Sequence, residues 1–234
     1  MAFIKHSRMS KFQTPLTSAD VRNICLENGL EISDSKWQLL EKWSCLLLEA
    51  NKKINLISRK ETPFLWEKQI LPCLSLLIYR KFNENIDVCD FGSGGGLPGL
   101  VLAIIRSDLK LTLLDSRSKK VKVVQEIINE LKLKNAQTLD GRGELLGKMY
   151  PWHQRFPSLT ARAVAPLIDL VNWTSGLRKE ESTIHIFKGG KIKEEISYLL
   201  KQDCKFRINK SLIVLKGYSR LAEDQKYIIS LEFK

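Results

Sequence analysis

No stretch of this 234-residue chain approaches the roughly twenty consecutive apolar residues that a membrane-spanning helix requires. The opening Met1 to Thr14 is polar and basic and lacks the apolar core of a secretory signal, so a cytoplasmic location is expected. Cysteine is sparse and scattered, at Cys25, Cys45, Cys73, Cys89 and Cys204. An odd number with no Cys-x-x-Cys pair argues against a disulfide framework and against a zinc site, which leaves free thiols. Acidic residues are also short, 26 against 38 Lys and Arg, for a net charge of +12. Such an excess suits a polyanionic partner, because each neutralised phosphate releases counterions and adds affinity whatever the base sequence. There is no internal repeat and no low-complexity tract. The remaining composition, 44% hydrophobic and 27% charged, is that of a globular protein long enough for one α/β core and a modest appendage.

Glycine, by contrast, is concentrated. Five of the 13 glycines fall between residues 92 and 99, in Ile86-Asp87-Val88-Cys89-Asp90-Phe91-Gly92-Ser93-Gly94-Gly95-Gly96-Leu97-Pro98-Gly99. An apolar strand that ends at a carboxylate, breaks into glycines and resumes as a helix is how an α/β sheet presents backbone to a ligand at the carboxyl end of a strand. Two ligands compete for this turn. Gly94, Gly96 and Gly99 fit the Gly-x-Gly-x-x-Gly dinucleotide fingerprint, with Asp115 at the expected distance. In another register, Asp90-x-Gly92-x-Gly94-x-Gly96 is the first motif of methyltransferases that use S-adenosylmethionine (SAM), with Asp115 closing the second strand. Both cofactors need an acidic residue there for the ribose hydroxyls. A pyrophosphate wants unopposed N–H groups, whereas the cationic methyl donor tolerates a carboxylate beside the loop, and Asp90 favours the latter.

In chain order, Met1 to Pro15, with Lys5, Arg8 and Lys11, reads as a basic arm. Thr17 or Ser18 caps a helix running to Asn28, and Ser33 or Asp34 caps a longer one to about Asn51. In the second, Trp37, Leu40, Trp43 or Ser44 and Leu47 recur at helical spacing, a core stripe in preference to a base-stacking platform. Residues 51–58 read as a linker. Pro63 then opens an amphipathic helix to Arg80 that Pro72 should kink or break. The division expected is a basic arm and helical extension over 1–82 and a catalytic domain over 83–234. Strand signals follow at 85–91, 110–115, 136–140, 158–164 and 183–188, with helical stretches between them at 98–106, 118–132, 167–175 and 191–202. This alternation predicts a doubly wound, mostly parallel sheet. Two closing strands, 204–215 and 225–234, should form a hairpin and place an antiparallel strand at one edge.

With these motifs placed, the sequence resembles the small-subunit ribosomal RNA guanine methyltransferase family (RsmG, also called glucose-inhibited division protein B). The matching segments, in family order, are Asn51-Lys52-Lys53-Ile54-Asn55-Leu56, the Asp90 to Gly99 loop, Thr112-Leu113-Leu114-Asp115-Ser116, Glu130-Leu131-Lys132-Leu133, Arg142-Gly143-Glu144, Arg162-Ala163-Val164-Ala165 and Phe187-Lys188-Gly189. The resemblance implies a Rossmann-like, class I fold and a SAM-dependent enzyme that forms 7-methylguanosine in 16S ribosomal RNA. Its partner would be 16S ribosomal RNA or the 30S subunit, with no membrane, and the protein a monomer. Gly92 and Leu97 would line the methionine and adenosine side of the pocket, beside Asp90, Gly94 and Gly96 of the loop. Asp115 would hold the ribose, Gly143 and Glu144 would bracket the adenine, and Arg162 would sit at the mouth. Arg162 or Lys188 would hold the guanine carbonyl oxygen or a flanking phosphate.

The chain departs from the family pattern on the substrate side. Gln69, Pro72 and Cys73 stand where the family shows His-x-x-Asp-Ser, and Ala50 replaces a Trp. Pro157 replaces an acidic residue, and Lys226 an Arg. These changes fit a divergent lineage with the same substrate or a shifted RNA target, and they keep open a noncatalytic RNA-binding ribosome-assembly factor. The Gly-x-Gly-x-x-Gly register keeps open a NAD-dependent oxidoreductase. Lys119, Lys120, Lys188, Lys191 and Lys193 are the expected phosphate-contacting face.

Overall fold

The computed structural model describes residues 14–190, 192–202 and 206–234. The basic arm with Lys5, Arg8 and Lys11, together with Lys191 and Cys204, lies outside the described residues. The chain opens with α1 (Ser18–Glu27) and α2 (Asp34–Lys53). Thr17 starts α1 through a reciprocal capping box with Asp20, which satisfies two backbone donors at the helix entrance. The apolar stripe of α2 is core as expected: Trp37, Leu40, Trp43, Ser44 and Leu47 are all buried, and Trp37 stacks on Trp66.

The segment expected as one kinked helix from Pro63 to Arg80 is three pieces. A 3₁₀ turn (Thr62–Phe64) leads into a π-helical turn (Leu65–Ile70), and only then comes α3 (Leu71–Tyr79). Pro72 lacks an N–H, and here it occupies the first turn of α3, where no such donor is needed.

The sheet follows: β1 (Asp87–Phe91), α4 (Gly99–Ile105), β2 (Lys110–Asp115), α5 (Ser118–Glu130), β3 (Ala136–Asp140), α6 (Gly143–Leu146), β4 (Phe156–Arg162), α7 (Leu167–Thr174), β5 (Arg178–Gly189), α8 (Ile192–Leu200), β6 (Phe206–Leu212), α9 (Arg220–Glu223) and β7 (Lys226–Phe233). Strand order is β3-β2-β1-β4-β5-β7-β6, with β7 antiparallel to both neighbours. The expected hairpin is thus present, and β7, the antiparallel member, lies between β5 and the outermost β6. β5 begins five residues earlier than the apolar signal suggests. Its charged start, Arg178 to Glu181, is mostly exposed and is held to β4 at Phe156 across a bulge.

Side chains alternate between two cores, as the two-residue period of a strand demands. Val88, Leu111 and Leu113 join the core built with α1 to α5, whereas Cys89, Phe91 and Leu114 join the one built with α7 and α8. The N-terminal helices therefore share one apolar core with the sheet. Full burial of a side chain such as Leu40 or Leu47 contributes about 1.5–3 kcal/mol. Among the described residues, no helix is long and apolar enough to cross a membrane.

Candidate active site

Strand order reverses between β1 and β4, and the crevice beyond the carboxyl ends of strands at such a point is where open α/β sheets take ligands. A cavity of about 900 Å³ opens there. Its walls are the loop after β1, the tips of β2 and β4, the start of α6, the π-helical turn and the connection between β6 and β7. That size suits a cofactor together with part of a substrate.

The loop is held almost entirely by internal bonds. Gly92 and Ser93 donate their amides to the Leu114 carbonyl at 2.8 and 3.0 Å, and Gly96 and Leu97 donate to the Ser93 carbonyl. Gly94 donates to Asp115 Oδ2 at 2.8 Å, while Asp115 Oδ1 accepts from the Arg117 amide at 2.9 Å. Five loop amides are therefore already committed. A pyrophosphate needs such N–H groups unopposed, so the turn is poorly suited to a dinucleotide in spite of its Gly-x-Gly-x-x-Gly spacing. The residues fit SAM: a half-buried carboxylate at the tip of β2 faces the cavity with acceptor capacity beyond its two amides.

Of the residues assigned to the cofactor from sequence, Gly92, Gly94, Leu97, Asp115, Gly143, Glu144 and Arg162 line the cavity. Asp90 and Gly96 do not, which corrects their assignment. Asp90 is fully buried, its Oδ2 accepting from the Gly99 amide and its Oδ1 from the Thr160 hydroxyl, both at 2.8 Å. It anchors the loop from beneath, and burial pushes its carboxyl up to about 7 against the lowering effect of those two bonds. Gly96 sits at φ +88°, and a Cβ there would come within 2.6 Å of Leu100.

Arg162 is half-buried and braces the π-helical turn. Its Nη1 donates to the Gln69 carbonyl at 2.9 Å and its Nη2 to the Lys68 carbonyl at 2.7 Å. Among the described residues its hydrogen-bond partners are thus main-chain carbonyls and the Cys73 sulfur, with no carboxylate among them. Lys188 also lines the cavity, donating to the Ala165 carbonyl and to Glu195 Oε2, each at 2.8 Å. Lys120 of α5 lines the cavity too, whereas its neighbour Lys119 and Lys193 of α8 are exposed and do not, so the four described lysines do not share one face.

Of the altered family positions, Gln69, Pro72 and Lys226 line the cavity and Cys73 touches Arg162, whereas Ala50 and Pro157, the latter at the start of β4, do not line it. Gln69 donates to Glu61 Oε2, and Cys73 is buried with its thiol pushed up to about 11, out of range of a reactive thiolate. Sequence reasoning missed Leu56 and Ile57, because it took residues 51–58 for a linker. Asn51 Oδ1 accepts from both of their amides, at 2.8 and 2.9 Å, and so folds that segment against the glycine loop as a cavity wall. Glu67 and Tyr218 were also missed, since neither carries a local motif.

Gly143 has the tightest surroundings, for a Cβ there would lie 2.2 Å from the Phe91 ring. Gly143→Ala should destabilise the fold by about 1–3 kcal/mol, as overpacked cores do, and weaken adenosine binding. Urea unfolding and S-adenosylhomocysteine titration check both effects.

The family model described as rRNA small subunit methyltransferase G matches residues 36–222. The chain belongs to that family. It is 36% identical over 180 residues to the ribosomal RNA small subunit methyltransferase G of Pelodictyon phaeoclathratiforme, covering 77% of each chain. To the Chlorobium luteolum protein of the same name it is 34% identical over 203 residues, covering 84% of this chain and 83% of that one. Among solved structures, a SAM-dependent methyltransferase from Aquifex aeolicus superposes with a TM-score of 0.53 at 17% identity, covering 80% of this chain and 98% of that one. The doubly wound sheet with its antiparallel β7 is thus the fold of SAM-dependent methyltransferases.

Proposed function

We propose that this protein is a SAM-dependent methyltransferase that acts on nitrogen 7 of a guanine in 16S ribosomal RNA, as a naked chain or within the 30S subunit. Family membership supports the reaction class. The observation that carries the cofactor assignment is the Asp115 carboxylate, bridging Gly94 and Arg117 at the rim of a loop whose amides are spent. Asp115 would hold the ribose hydroxyls, Gly143 and Glu144 the adenine, and Gly92 and Leu97 the methionine side.

Bound SAM supplies an electrophilic methyl group. Guanine nitrogen 7 carries a lone pair and no proton, so the chain needs no general base. Its task is alignment and exclusion of water, which can lower a barrier by about 7–11 kcal/mol at best. Arg162 sets the position of the cavity mouth through Lys68 and Gln69. Lys188, with two of its three N–H groups used, offers the third to the guanine oxygen or a phosphate. The base must be unstacked, because a paired A-form groove hides that nitrogen. A cytoplasmic monomer is part of the same reading.

Incubation with labelled SAM and small ribosomal subunits that lack the modification tests the reading. Label should appear in 16S RNA as 7-methylguanosine. RNA binding without label would leave an assembly factor, and tighter binding of NAD than of S-adenosylhomocysteine would leave an oxidoreductase.

A further inference from the structure

The cavity extends well beyond the cofactor loop, and its far wall holds a buried carboxylate that the reaction as described above does not use. Glu67 sits on the π-helical turn and is only 3% exposed, yet it lines the cavity. Its Oε1 accepts from the Tyr218 hydroxyl at 2.8 Å and from Arg220 Nη1 at 2.8 Å. No described residue donates to Oε2. Tyr218, which also lines the cavity, comes from the connection between β6 and β7, so the two walls meet at this carboxylate.

We infer that Glu67 Oε2 reads the Watson–Crick edge of the target guanine, accepting from its N1–H and 2-amino group. The inference rests on the guanine-methylating reading of the cavity and adds a specificity-determining residue to it. An ionised carboxylate accepts and cannot donate, and it is held in that role here by two donors on its other oxygen. Guanine presents donors at N1 and at the 2-amino group. Adenine presents a lone pair at N1, which would face the carboxylate and be rejected. A buried acceptor left without its donor is what makes such discrimination strong.

The same contact strengthens as the reaction proceeds. The bonding pair stays on sulfur as the methyl leaves, the lone pair of nitrogen 7 forms the new bond, and the purine becomes a cation that keeps its N1 proton. That proton grows more acidic, so its hydrogen bond to Glu67 is stronger in the transition state than in the bound substrate. Glu67→Gln can satisfy Tyr218 and Arg220 with its carbonyl oxygen, which turns an NH₂ donor toward the cavity.

The test uses the full chain saturated with S-adenosylhomocysteine and titrated with GMP, AMP and 1-methyl-GMP, whose methyl group replaces the N1 proton. Wild type should prefer GMP to the other two by about tenfold or more, the scale of one good base-edge contact. In Glu67→Gln that preference should vanish or reverse toward AMP, with S-adenosylhomocysteine affinity kept. A role confined to anchoring the β6–β7 connection would leave the ratio unchanged in the variant and would overturn the inference. So would an undiscriminating wild type, or one that binds no GMP. If Glu67→Gln fails to fold, rejection of 1-methyl-GMP by wild type decides alone. Guanine selectivity lost in the variant, but with no label reaching ribosomal RNA, would keep this inference and defeat the proposed function. Label transfer without guanine selectivity would do the opposite.

Discussion

Asp115→Ala should weaken S-adenosylhomocysteine binding by about 3 kcal/mol, roughly 150-fold in Kd, the largest loss expected of any single cavity side chain. Three interactions are removed together. The Gly94 and Arg117 amides lose a charged acceptor, so the loop after β1 loses its tie to the tip of β2, and the ribose hydroxyls lose their partner. Asp115→Asn separates these contributions. Its carbonyl oxygen can keep one amide, but its NH₂ faces the other donor, so a loss of about tenfold should remain. Isothermal titration of both variants measures the difference. An unchanged affinity in Asp115→Ala would move the ribose to another carboxylate on the cavity wall, with Glu144 the next candidate.

Much of this site was legible before any coordinates. The loop, the strand ending at Asp115 and the pair Gly143-Glu144 are local signals, each carried by residue type at fixed spacing, and all reach the cavity. The limits of that reading have physical causes. Spacing places Asp90 in the motif, but only the side-chain direction at that point of β1 shows that it faces Thr160 instead of the ligand. The competition between two cofactors was undecidable from glycines, because it turns on whether the loop amides are free, and three of the five find their partners at the end of β2, in the Leu114 carbonyl and the Asp115 carboxylate. Residues 51–58 looked like a linker because their organising bonds come from the single side chain of Asn51. Glu67 meets Tyr218 and Arg220 across about 150 residues, and no periodicity records a contact of that range.

Asp90 governs the second large effect, a pH dependence of stability. Burial raises its folded pKa to about 7, while the unfolded carboxyl titrates near 3.8. Between those values the folded state holds a proton that the unfolded state has lost, so this group's contribution is complete below about pH 4 and disappears as pH rises through 7. Over that window it amounts to about 4 kcal/mol. His185 acts in the opposite sense. Burial, assisted by Arg80, lowers its pKa to about 3, so it destabilises the fold as pH falls below its unfolded value of 6.5. The wild-type profile therefore conceals much of both effects, and a difference measurement is needed. Asp90→Asn supplies it, because an amide reproduces the protonated acid: its oxygen accepts from Gly99, and its NH₂ donates to the Thr160 oxygen. Urea unfolding at pH 4 should find the two proteins nearly equal, and by pH 8 the variant should lead by several kcal/mol. A gap that stays constant from pH 4 to 8 would give Asp90 an ordinary carboxylate pKa and remove the proton from beneath the loop.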